Sequence, residues 1–213
     1  MIDKHLELAH RVASARIAEV RANCSFADID LDRFINEIKR LTEIEMDKAP
    51  SAGSDFHSLM EKYFSGSLPE TNGYYGLCKN VGEVIEERTG IPVGHMWETE
   101  KYFISDIGYG GTADVVYAGQ NAWDIDYKTK QTADKFKPGK MVYDDHLMQL
   151  AAGRKGLGLD KARCANVFVC LEDVAKTKSG EQIDFHEHTE ASLNRGWKLF
   201  EHALGIWKIQ NEP

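Results

Sequence analysis

Three runs rich in β-branched and aromatic residues lie close together in the middle of the chain, over residues 96–104, 111–117 and 122–127. Two four-residue segments with turn chemistry separate them, Ser105-Asp106-Ile107-Gly108 and Ala118-Gly119-Gln120-Asn121. Connections this short admit no helical crossover, so each run must fold back on the one before it as an antiparallel meander. Helical patterns surround it. Leu6, Ala9, Val12, Ala13, Ile17 and Val20 recur at three- and four-residue steps over 3–22, and Leu31, Phe34, Ile35, Ile38 and Leu41 do so after Asp30. A helix opening at Asp55 carries Phe56, Leu59, Met60 and Tyr63 and ends at Gly66 and Pro69. Another spans about 73–89 and closes at Gly90 and Pro92. Downstream, 143–157 reads as a helix, 165–171 as a buried strand, 183–188 as a further strand and 190–210 as a long final helix. At 213 residues the chain fits one domain. The expectation is a single α/β domain over 1–213, with a mixed central sheet of meander plus further strand flanked by helices. Residues 1–92 would form a mostly helical part, 93–175 the core, and 176–213 a closing strand and helix.

Within the meander, Gly110-Gly111-Thr112-Ala113-Asp114 precedes Asp124-Ile125-Asp126-Tyr127-Lys128. Strand side chains alternate, so Asp124, Asp126 and Lys128 share one face while Trp123, Ile125 and Tyr127 point into the core. A turn centred near Gln120 sets Asp114 beside Asp126 across the ladder. Adjacent carboxylates repel unless a cation lies between them, and hard oxygen ligands suit Mg²⁺ or Mn²⁺. Such an ion polarises a phosphodiester and lowers the pKa of a bound water. A lysine two residues after an acid reaches the same pocket, where it orients the water or offsets charge building on the phosphoryl oxygens. Asp114 and Asp126 as metal-binding acids, with Lys128 as catalytic amine, describe phosphodiester hydrolysis. The competing reading is a solvated charged strand face with a weak ion pair.

Gly111-Thr112-Ala113-Asp114, Asp126-Tyr127-Lys128-Thr129 and a following helix with Gln149 resemble the PD-(D/E)XK nuclease superfamily. The RecB-like exonuclease branch is the best match; it includes phage exonucleases, CRISPR-associated RecB-like nucleases and the mitochondrial genome-maintenance exonuclease. The likeness runs from about residue 53 to 157. It implies a restriction-endonuclease-like core and a Mg²⁺- or Mn²⁺-dependent DNA exonuclease serving phage or prophage recombination, replication or repair. It implies His57, in Asp55-Phe56-His57-Ser58-Leu59-Met60-Glu61, as a metal ligand beside Asp114 and Asp126. The carbonyl of Tyr127 would complete the shell, and Lys128 would be the catalytic lysine. Glu98 and Glu100, two apart on the first strand, compete for the upstream acid. The neighbouring Glu100-Lys101-Tyr102-Phe103 and Gly108-Tyr109-Gly110-Gly111 favour Glu100. Where the branch has a tyrosine four residues after its glutamine, this chain has Gly153, a departure that bears on how the helix meets DNA. The implied partners are a single- or double-stranded DNA end and a single-strand-binding or annealing protein.

Thirty-four Asp and Glu against 26 Lys and Arg leave a net charge of −8, which argues against a basic coat for wrapping duplex. Yet Lys128, Lys130, Lys135, Lys137 and Lys140 cluster, and Arg154 and Lys155 follow. A local basic rim is expected to grip phosphates without reading sequence. Gln149 is expected to hold a phosphate or flipped base, and Phe136 and Tyr143 to stack on an unpaired one. His186 and His188 read as a solvated strand face, and His146 as a cap of the Gln149 helix. No stretch approaches 18 apolar residues and the first 22 lack a signal-peptide centre, so no membrane span and a cytoplasmic location are expected. Cys24, Cys78, Cys164 and Cys170 form no CxxC pair and read as reduced thiols. An inactive nuclease-fold DNA-binding protein and a hydrolase of non-nucleic phosphodiesters are the alternative functions.

Overall fold

In the computed structural model, which describes residues 55–94, 96–172 and 181–211, the meander is β1 (Glu98–Ser105), β2 (Tyr109–Tyr117) and β3 (Trp123–Lys130). Gly108 closes the first turn in the left-handed region, φ +86°, and donates its N–H to the Ser105 carbonyl at 3.0 Å. Across the second turn the pairing is symmetric about Gln120: Val115 lies opposite Ile125, Val116 opposite Asp124 and Tyr117 opposite Trp123. These residues all belong to one unit, Gly53–Pro213. The helices expected over 3–22 and after Asp30 lie outside the described residues.

Helix α1 spans 55–64 and α2 spans Tyr75–Thr89. Cys78, Val81, Gly82 and Ile85, spaced by three and four, form the buried stripe of α2. Gly90 stops it at φ +73°, giving its N–H to the Glu86 carbonyl at 2.8 Å. After β3 the chain crosses through α3 (Asp144–Gly156) and returns as β4 (Arg163–Cys170), parallel to β3 from Trp123–Arg163 to Lys130–Cys170. Then β5 (Ile183–Glu187) pairs antiparallel with β4, and α4 (Glu190–Gln210) closes the fold. The sheet is mixed, in the order β1-β2-β3-β4-β5.

The alternation of β3 assigns the two faces. Trp123, Ile125 and Tyr127 join Val115, Val167 and Val169 under Phe56, Met60 and Phe64 of α1 and Val81 and Ile85 of α2. On the other face Leu150 of α3, Cys164 of β4 and Leu193 of α4 pack together. Helices α3 and α4 approach so closely that a Cβ on Gly196 would lie 2.5 Å from the Leu147 carbonyl oxygen. The buried Arg154 guanidinium ties them, donating to both carboxylate oxygens of Glu190 at 2.8 and 3.0 Å. No helix among the described residues is long and apolar enough to cross a membrane.

One irregularity positions the site. The β2–β3 ladder ends at Val115–Ile125, whereas β2 stays paired with β1 to Ser105–Tyr109 and β3 stays paired with β4 to Lys130–Cys170. The sheet therefore forks, and Asp114 and Asp126 stand at the opening.

Candidate metal and active site

Where the ladder stops, Tyr127 loses a backbone acceptor, and an unpaired buried N–H is costly. The Asp114 side chain supplies one: Tyr127 N–H donates to Asp114 Oδ2 at 2.7 Å. The other oxygen, Oδ1, lies 3.4 Å from His57 Nδ1 on α1, whose ring packs edge-on against Tyr127 at 5.8 Å. Glu100 comes within 3.9 Å of the same nitrogen. His57, Glu100 and Asp114 each present a ligand atom within 4.8 Å of the others. One nitrogen and two carboxylates in that span match what a divalent cation takes.

Glu100 reaches this cluster through its backbone. It sits at φ +49°, a left-handed conformation costly for a residue with a Cβ, while Thr99 and Lys101 keep their places opposite Val115 and Ala113. The kink also separates the two candidate upstream acids, since Glu98 accepts from Lys101 Nζ at 2.6 Å instead.

Asp126 stands apart from that triad. Lys128 Nζ lies 2.9 Å from its Oδ1 and 2.8 Å from its Oδ2, and donates as well to Gln149 Oε1 on α3 at 2.9 Å. Asn166, its neighbour on β4, donates Nδ2 to Oδ2 at 2.7 Å. The Asn166 Oδ1 must then accept, so His188 donates from Nε2 at 2.7 Å, in its neutral form. Asp126, Asn166 and His188 thus make a buried chain of hydrogen bonds.

The electrostatics follow this geometry. Burial works to lower the His57 pKa, but the hydrogen bond to Asp114 and the charges of Asp114, Asp126 and Glu100 outweigh it and leave the imidazole above its ordinary value. Burial first and Asp114 second raise Glu100. Burial and then the charge of Asp114 push Asp126 up to about 6, with the Lys128 ammonium pulling the other way. Burial pushes Asp124, two residues earlier on the same face, well above the carboxylate range, with help from Asp126 and Asp114. For His188, burial and then the neighbouring His186 and His146 depress the value to about 4.

Several expectations are corrected here. Arg154, expected on the basic rim, is 4% exposed and engaged by Glu190. Phe136 is buried with Met141 and Phe168 and offers no face for stacking. His188 is buried rather than solvated. Lys135, Lys137, Lys140, Tyr143 and Gln149 are exposed, and Lys130 is half-buried with its ammonium 5.8 Å from the Phe168 ring. His146 caps α3, accepting from the Tyr143 N–H at 3.3 Å. Asn166, and the place of His188 beside it, escape the sequence reading because their link to Asp126 depends on the β3–β4 and β4–β5 registers, which no local pattern announces.

No family model matches the chain, and no curated protein matches it. Among solved structures, the crystal structure of SSO0001 is similar at 16% identity over 99% of this chain and 88% of that one, with a TM-score of 0.36, too slight a likeness to bear on function. The fold and site define an α/β protein whose five-stranded mixed sheet opens onto a cluster of acids with one histidine.

Proposed function

We propose that the protein is a Mg²⁺- or Mn²⁺-dependent DNA nuclease, an exonuclease of the RecB-like PD-(D/E)XK kind. The observation that carries this reading is the convergence at the fork: Lys128 Nζ on the Asp126 carboxylate, beside a His57–Glu100–Asp114 cluster that suits a divalent ion. The motif resemblance of residues 111–114 and 126–129 supports the same class.

A bound ion would supply Lewis acidity and a water of lowered pKa. The residues of the chain divide the remaining work. His57, Glu100 and Asp114 would hold the ion, which would compete with the proton for the imidazole of His57. Asn166 and Lys128 keep the Asp126 carboxylate oriented. The Lys128 ammonium, steadied by Gln149, faces the position where charge grows on the phosphoryl oxygens. Exposed Lys135, Lys137 and Lys140 hold the DNA backbone, and no element for reading base edges in a groove is needed for end digestion.

The test is digestion of end-labelled single- and double-stranded DNA with Mg²⁺ or Mn²⁺. Asp114→Ala, Asp126→Ala and Lys128→Ala should each lower the rate by about 10²–10³ or more with native circular dichroism. Wild-type-like digestion by Asp126→Ala would refute the assignment. DNA binding in EDTA without turnover in Mn²⁺ would mark an inactive nuclease fold, and turnover of small phosphodiesters alone a different hydrolase.

A further inference from the structure

Asp124 contributes a buried carboxyl group that the fold does not use. It is 2% exposed; the charge of Arg154 favours its ionised form, but among the described residues no hydrogen bond to its carboxyl is seen. Helix α3 makes room for it: a Cβ on Gly153 would lie 2.9 Å from Asp124 Oδ2. Unpaired buried carboxyls are costly and rare, so a partner that completes one is worth seeking.

The group faces a cavity of about 280 Å³ that also reaches Asp114 and Asp126. Its other walls include Phe103, Tyr109, Gly111, Leu150, Gly153 and Phe200. They are set before any ligand arrives. The Tyr109 hydroxyl donates to the Ala152 carbonyl at 3.0 Å, its ring meets Phe200 at 4.7 Å, and a Cβ on Gly111 would lie 3.0 Å from the Phe103 ring. Asp114, Asp124 and Asp126 gather on one side of the cavity, while Phe103, Tyr109, Leu150 and Phe200 make the other side apolar. Apolar walls with a few convergent polar groups suit an organic ligand, for which cavities run about 300–1,000 Å³. This one, at about 280 Å³, falls just below that range and fits a single ring system.

Resting on the nuclease reading above, we propose that this cavity receives one unpaired nucleobase, that of the nucleotide beside the phosphate over Asp126 and Lys128, with Asp124 bonded to its Watson–Crick edge. Every base offers an N–H on that edge, so the contact is general, and a paired terminal base must first be pulled from its stack. Single-stranded or frayed ends are then better substrates than blunt duplex.

Binding without turnover tests the pocket. By calorimetry, wild-type protein should bind dAMP about ten- to hundredfold more tightly than 2-deoxyribose 5-phosphate, and Asp124→Leu should bind the two alike. Equal binding to the wild type overturns the pocket whether or not the variant folds. In parallel, single-stranded oligonucleotides carrying one abasic nucleotide at successive positions are digested with Mn²⁺. One position should raise KM about tenfold or more in the wild type, and indifference at every position overturns the pocket while leaving the nuclease standing. If no oligonucleotide is cut but dAMP keeps its preference, the nuclease reading falls and the pocket stands.

Discussion

His188 ends a chain of hydrogen bonds whose other end is Asp126, and its burial gives stability a pH dependence of definite sign. In the folded chain it stays neutral down to about 4, whereas an unfolded histidine takes its proton near 6.5. Between those values the unfolded state binds the extra proton, so the stabilisation is whole above about pH 6.5 and lost as pH falls towards 4. The full interval corresponds to about 3 kcal/mol. Urea unfolding from pH 7.5 to 4.5 should show the wild type losing stability relative to His188→Gln, which keeps a donor for Asn166; parallel curves would show that His188 titrates normally. At this scale the sequence was legible wherever one strand supplied the answer. The period of two put Asp124, Asp126 and Lys128 on one face, but the pairing symmetric about Gln120 stops at Val115–Ile125, so Asp114 and Asp126 are not laddered as expected and Asp114 turns to the Tyr127 amide instead. Glu98 and Glu100 differ because of a left-handed φ at one of them, which alternation alone does not encode.

The contact between α3 and α4 is set by a missing side chain. Alanine is a better helix former than glycine by about 1 kcal/mol, so on propensity alone Gly196→Ala should stabilise α4. Its Cβ, however, would lie 2.5 Å from a backbone carbonyl at Leu147, and backbone has no rotamer to yield. Overpacking of this kind costs about 1–3 kcal/mol, so a net loss of about 1–2 kcal/mol is expected in chemical denaturation. Unchanged or higher stability would mean that the two helices part easily. The elements themselves were largely foreseeable. Tight turns and β-branched runs marked the meander, and the last helix follows the residues expected of it, Glu190–Gln210. The parallel pairing of β3 with β4 was not foreseeable, because a crossover hides its partner from any local window.

At the scale of the whole molecule, a net charge of −8 must coexist with a polyanionic ligand if the proposed function holds. Lys135, Lys137 and Lys140 lie exposed between β3 and α3 and would be the phosphate contacts under that reading. Replacing all three with alanine should reduce the slope of log Kd against log salt by about two to three, at roughly 0.7–0.9 per phosphate contact, in anisotropy titrations of a labelled oligonucleotide with Ca²⁺. An unchanged slope would place the DNA elsewhere. Composition counted the charges but not their whereabouts, so Arg154 was assigned to a rim from which its pairing with Glu190 removes it. The parting of β2 from β3 has a mechanical corollary. Beyond Val115 and Ile125, Asp114 travels with one laddered ribbon and Asp126 with another, like teeth on opposing jaws. A change in their separation would leave both ladders paired, and the bond from the Tyr127 amide to Asp114 is the one it would have to stretch.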